Sequence, residues 1–242
     1  MKSNGVEVVA FDADNTLWHN EPLFTDTKER FTELLRPYHS TEWIEERLYE
    51  TETENLKHYG YGIKSFTLSM IETAIELTEG RIGGAEIGRL IAEAKQMLEA
   101  PVKLLDGAED TIRTLSEEYR LALITKGDLF DQESKLARSR LGDLFAAVEI
   151  VTDKTSKAYR DITRRLEVTP ERFVMVGDSL RSDIIPVAKI GGRAIHVPYS
   201  VTWRHEAVSE DGLGEYEFAR VETIAQVPSA VKNFAETQGK ES

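Results

Sequence analysis

Short apolar runs in this sequence repeatedly give way to aspartates, and that spacing is the first feature able to do chemistry. Val6-Glu7-Val8-Val9-Ala10-Phe11 stops at Asp12-Ala13-Asp14-Asn15-Thr16-Leu17. Leu121-Ala122-Leu123-Ile124 stops at Thr125-Lys126-Gly127-Asp128. Phe173-Val174-Met175-Val176 stops at Gly177-Asp178-Ser179, and Asp183 follows in the next turn. Open α/β sheets bind ligands beyond the carboxyl ends of their strands. Parallel neighbours therefore crowd Asp12, Asp14, Asp178 and Asp183 at one rim. Two like charges about 4 Å apart repel by about 4 kcal/mol at an effective dielectric near 20. Either a carboxyl group keeps its proton or a cation sits among them. An all-oxygen donor set without His or Cys selects Mg2+ over zinc or copper, and a metal is the favoured reading.

The elements that must position these residues are legible in outline. The β-branched, brief runs above, together with Ala146-Ala147-Val148-Glu149-Ile150-Val151 and Ala194-Ile195-His196-Val197, predict buried strands. Segments of helical periodicity lie between them, such as Tyr159-Arg160-Asp161-Ile162 through Leu166. Strands alternating with helices indicate an α/β fold, a Rossmann-like parallel sheet with helices on both faces. Asp106-Gly107-Ala108-Glu109 reads as a capping box, and Pro170 after Thr169 reads as a first helical position.

Residues 19–100 differ. No strand-like run occurs there, and the apolar residues fall at helical spacing: Phe31, Leu34 and Leu35; Trp43, Ile44 and Leu48; Ile63, Phe66, Leu68, Ile71 and Ile75; Ile87, Leu90 and Ile91. Gly60–Gly62 and Gly80–Gly84 punctuate the pattern as turns. The expected organisation is an α/β core from residues 1–18 and 101–242, interrupted by an all-α cap of residues 19–100. The polar tail from Glu236 is expected to fray.

Composition narrows the function. The 242 residues carry 30 Lys+Arg against 43 Asp+Glu, a formal charge of −13. That balance argues against nucleic acid, which needs clustered cations to neutralise phosphates, but leaves room for a small anionic substrate. The absence of cysteine excludes disulfides, thiolate metal sites and thiol nucleophiles and favours the cytoplasm. No apolar stretch reaches the length of a signal-peptide core or a membrane span.

Taken in order, these motifs resemble the haloacid dehalogenase (HAD) superfamily. Its phosphatases carry Asp-x-Asp-x-Thr after the first strand, here Asp12-Ala13-Asp14-Asn15-Thr16; a Ser or Thr ending a later strand, here Thr125; a Lys ahead of a helix; and Gly-Asp with a further Asp, here Gly177-Asp178 and Asp183. For the Lys, the family's spacing to the leucine ending the helix, here Leu166, fits Lys154 rather than Lys157. The likeness covers essentially the whole chain, with the helical insertion between the first two motifs.

The resemblance implies a fold and a set of roles. Asp12 would be the nucleophile that forms an aspartyl-phosphate, and Asp14 the acid that protonates the leaving oxygen and then the base that activates water. Mg2+ would be held by Asp12, the backbone carbonyl of Asp14 and Asp178, with Asp183 a ligand or one shell out. Thr125 and Lys154 would hold the phosphoryl oxygens, with Lys126 beside them. The implied substrate is a small phosphorylated metabolite, handled by a monomer or homodimer. The alternatives are a 2-haloacid dehalogenase, which Asp14 disfavours because a halide leaves without a proton; a phosphomutase with the same core motifs; and a non-catalytic module that binds a phosphorylated ligand. His19 beside Trp18, and the Gly60-Tyr61-Gly62-Lys64 turn, read either as substrate contacts or as ordinary surface. Trp203 and His205, downstream of the fifth strand, resemble a loop of the phosphatase-like branch.

Overall fold

The computed structural model describes residues 5–201, 203–208, 214 and 216–237, so the tail beyond Thr237 lies outside the described residues. In chain order the elements begin β1 (Val8–Phe11), α1 (Glu21–Leu35), α2 (Thr41–Tyr59), α3 (Ile63–Leu77), α4 (Gly84–Glu99) and α5 (Ala108–Ser116). They continue β2 (Arg120–Lys126), α6 (Leu129–Ser139), β3 (Ala147–Val151), α7 (Ser156–Arg165) and β4 (Phe173–Gly177). The chain closes with α8 (Ile185–Ala188), β5 (Arg193–His196), β6 (Ala219–Arg220) and α9 (Val227–Thr237).

Two compact units emerge. The first holds the described residues to His19, then Val102–Lys126, and those from Ser134 onward; the second holds Asn20–Pro101 and Gly127–Glu133.

The first unit is built on a parallel sheet of order β3-β2-β1-β4-β5-β6. Period-two alternation sorts its side chains. Val9, Phe11, Leu123, Val176 and Ile195 enter one core with Ile112 of α5 and Val231 of α9. Val8, Ala10, Ile124 and Met175 enter the other with Tyr159 and Ile162 of α7 and Val187 of α8. Both faces are covered, which is why β1 reads as an almost unbroken apolar run. Phe11 pairs in register with Leu123 on one side and Val176 on the other. The residues that follow these three strands therefore emerge at a common rim, at the switch point where strand order reverses about β1.

The second unit is helical and has its own core, in which Phe31, Leu35, Ile44, Leu48, Met70 and Leu90 are buried. Ser40 caps α2, accepting a hydrogen bond from Trp43 N–H at 3.4 Å. Gly62 starts α3 with φ 122° and lies against Asp128, whose N a Cβ there would approach to 3.3 Å. Lys64 donates to Asp128 Oδ1 at 2.9 Å.

Two local expectations are corrected. Glu109 does not close a capping box: the cap of α5 is Gly107, left-handed at φ 81° and without a side-chain cap. The Glu109 carboxylate instead accepts from Arg113 one turn on. In the helical unit Trp43, Leu68, Ile75 and Ile91 face outward. On α3 the buried stripe is Ile63, Phe66, Met70, Ala74 and Leu77, and Leu68, two residues past Phe66, falls on the opposite side of a helix turning every 3.6 residues or so. Among the described residues no helix is long and apolar enough to cross a membrane.

Candidate active site

Asp12 extends β1 by one residue, its N–H donating to Val176 O at 2.9 Å. The chain then turns: Leu17 N–H donates to Ala13 O at 2.8 Å, with Asn15 left-handed at φ 62°, a conformation Asn tolerates better than most residues. The turn brings Thr16 back beneath the aspartates. Its hydroxyl lies 3.2 Å from Asp12 Oδ2 and 3.4 Å from Asp178 Oδ1, and accepts from Asp178 N–H at 3.1 Å. Thr16 thus ties the loops after β1 and β4 together.

Beyond β4 the chain enters a single π-helical turn, Leu180–Ile184. Such turns recur at functional sites because they re-aim a side chain within a helix. Here the turn folds Asp183 back, so that its Oδ2 accepts from Ser179 N–H at 3.1 Å. Asp183 then lies so close over Gly177 that a Cβ there would sit 2.2 Å from Asp183 Oδ2. The glycine of the Gly177-Asp178 pair is required by space alone.

Lys154 arrives from the end of β3, immediately before Thr155, whose hydroxyl caps α7 by accepting from Ala158 N–H at 3.1 Å. Its ammonium is buried and donates to Asp12 Oδ1 and, at 2.6 Å, to Asp183 Oδ1. Lys157 is exposed and pairs with Asp161 at 2.9 Å. Thr125 is buried at the end of β2.

Asp12, Asp178 and Asp183 each offer an oxygen within 4.8 Å of the others. Burial raises the Asp12 carboxyl to about 7, against the pull of Lys154 and with a further push from Asp183. Burial likewise lifts Asp178 well above the usual carboxylate range, and Asp12 and Asp183 add to it. Burial alone would depress Lys154, but the Asp12 and Asp183 carboxylates outweigh it and hold the ammonium charged. When all three ionise, one ammonium among two buried carboxylates and the half-buried Asp178 leaves a net demand for positive charge. A hard, oxygen-liganded divalent cation fits that donor set.

Asp14 stands apart from the three. Its carboxylate takes Trp18 Nε1–H at 2.7 Å and the Lys135 ammonium at 2.8 and 2.9 Å. Lys126, the other cation singled out in the sequence, directs its ammonium to Ser182 Oγ at 2.8 Å and to the Glu206 carboxylate. His19 Nδ1 meets the Tyr199 hydroxyl at 2.7 Å.

The sequence profile of the haloacid dehalogenase-like hydrolases matches residues 6–191. The chain belongs to this family. As a HAD hydrolase it resembles curated relatives over most of its length. A glyceraldehyde 3-phosphate phosphatase of Methanopyrus kandleri is 26% identical over 92% of this chain and 97% of its own. A second, from Pyrococcus furiosus, is 26% identical over 80% of this chain and 81% of its own. Among solved structures, a haloacid dehalogenase-like hydrolase from Xanthomonas campestris superposes with a TM-score of 0.88 at 36% identity, covering 100% of this chain and 97% of the other.

Sequence reasoning missed Trp18 and Lys135. Trp18 lies one helical turn beyond Asp14, a spacing that hints at contact. Lys135 had no signal of its own, because an isolated Lys on an amphipathic helix usually faces water and only the packing of α6 turns this one inward.

Proposed function

We propose that this HAD hydrolase is a Mg2+-dependent phosphatase acting on a small phosphate monoester. The observation that carries the reading is the buried Asp12, hydrogen-bonded to Lys154 and flanked by Asp178 and Asp183. Asp12, Asp178 and Asp183 would hold the metal, together with the backbone carbonyl of Asp14. When bound, the metal supplies charge that screens an anionic phosphoryl group from an anionic nucleophile.

In this reading an Asp12 carboxylate oxygen forms a bond to phosphorus while the bond from phosphorus to the leaving oxygen breaks. Asp14 gives its proton to that oxygen. A water then attacks the aspartyl-phosphate, Asp14 takes its proton, and inorganic phosphate leaves with the Asp12 carboxylate restored. Lys154 and the Thr125 hydroxyl donate to phosphoryl oxygens as charge develops on them. The aspartate at position 14 favours phosphate esters over haloacids, since an alkoxide needs a proton and a halide does not. Residues 19–100 act as the cap domain that sets substrate choice. The two archaeal relatives make glyceraldehyde 3-phosphate the first ester to try.

The test is phosphate release from p-nitrophenyl phosphate and from glyceraldehyde 3-phosphate. Activity is expected with Mg2+, and none with EDTA or in Asp12→Asn. Full turnover by Asp12→Asn would sink the covalent mechanism, and metal-independent release of chloride from chloroacetate would favour dehalogenation.

A further inference from the structure

The segment after β5 ends in Trp203-Arg204-His205-Glu206, and its last residue is tied to the site from three directions. Glu206 is largely buried and accepts from the Lys126 ammonium, from Ser179 Oγ and, at 2.5 Å, from Ser182 Oγ. Ser179 and Ser182 lie on the turn that carries Asp178 and Asp183, and Lys126 follows Thr125 at the end of β2. The same turn is gripped twice more. Arg181 donates to the His205 carbonyl at 2.5 Å, and His196 of β5 donates its Nε2–H to the Asp178 carbonyl at 2.9 Å. Trp203 stacks edge-on against His205 with centroids 4.4 Å apart, which fixes the approach of the loop. Although burial would raise the Glu206 carboxyl, Lys126 and the two hydroxyls outweigh it and hold it below the usual range; a buried anion with three donors is a satisfied one.

We infer that Glu206 is a positioning residue: it fixes the Ser179–Asp183 turn so that Asp178 and Asp183 converge with Asp12, and it keeps the Lys126 ammonium on that turn. The inference rests on the phosphatase reading and its metal. Groups hydrogen-bonded to metal ligands typically carry a roughly 10- to 100-fold effect on metal affinity, and Glu206 acts one bond further out, through Ser179, whose N–H binds Asp183.

The test is isothermal titration of the metal-free, full-length chain with MgCl2, read beside its thermal midpoint without metal. Glu206→Ala is expected to weaken Mg2+ binding by about 10-fold, the lower end of the effect of a group bonded to the ligands themselves. Glu206→Gln, which keeps an acceptor oxygen at the same reach, should recover part of the loss, and Ser182→Ala should show a smaller one. A merely structural residue would lower the thermal midpoint and leave Mg2+ affinity alone well below that midpoint. Should Glu206→Ala fail to fold, Glu206→Gln and Ser182→Ala make the same comparison. Wild-type affinity in the folded variants overturns the inference while leaving the phosphatase reading standing. Absence of Mg2+ binding by the wild-type chain overturns both.

Discussion

Asp12 is a nucleophile candidate whose own charge the fold resists. Its carboxyl titrates near 7 rather than at the ordinary 3.8, first because it is buried and then because Asp183 stands beside it, with Lys154 opposing both. Between those two pH values the native chain keeps a proton that the unfolded chain has lost, so this group makes stability fall as pH rises from about 4 to 7. Asparagine has no proton to lose. Metal-free Asp12→Asn should therefore melt above the wild type at pH 7.5, with the gap closing toward pH 4; a constant gap across that range would contradict the burial argument. Lys154 offers a second residue-level expectation. Its ammonium touches Asp12 whereas Lys157 is exposed and pairs with Asp161. Under the phosphatase reading Lys154→Ala should cut kcat/KM by about 100-fold or more, the scale of a lost charge-stabilising donor, while Lys157→Ala leaves it within about twofold.

At the scale of elements, the turn after β4 does what no single side chain does, by folding Asp183 over Gly177. A methyl at position 177 would overlap the Asp183 carboxylate at 2.2 Å, so Gly177→Ala must push that carboxylate aside. We expect a folded protein, destabilised by roughly 1–3 kcal/mol as for other overpacked sites, whose Mg2+ titration is lost while its circular dichroism is kept. Unchanged Mg2+ binding would mean that Asp183 is no part of the metal site. This turn also marks the limit of what the sequence discloses. The strands from β1 to β5 were legible because each is a short, largely apolar run, buried on both faces in β1 and β4 though not in the edge strand β3, whose Val148 is exposed, and the aspartates after β1 and β4 followed from that. The π-helical geometry was not, since nothing in Leu180–Ile184 distinguishes it from an α-helical start. Two-residue β6 was equally silent, because its pairing with β5 is decided by tertiary contact. The grip of Lys135 on Asp14 and of Glu206 on Ser179 and Ser182 joins residues far apart in the chain, and such pairs leave no local pattern. Trp43 and Leu68 misled for the opposite reason: each is apolar at near-helical spacing, yet the stripe that packs lies one position round the helix from Trp43 and on the far side from Leu68.

For the molecule as a whole, two units have separate cores, and the acid cluster belongs to the one built on the sheet. A cation that binds this cluster in the native state alone stabilises the chain by mass action, about 2.7 kcal/mol when its concentration is 100 times Kd. The net charge of −13 adds a general, salt-screened attraction for cations, so the specific effect must be separated from it. Protons provide the separation. Asp12 and Asp178 both titrate above the ordinary carboxylate range, and a proton on either competes directly with a metal ion. The rise in thermal midpoint on adding Mg2+ should therefore be large at pH 8 and shrink as pH falls through 7 toward 5.5. Surface carboxylates, ionised throughout that interval, give no such loss. Scanning calorimetry at constant ionic strength, with Mg2+ exchanged for Na+, measures the difference. An increment of equal size at both pH values would assign the stabilisation to the acidic surface and take the metal away from Asp12 and Asp178.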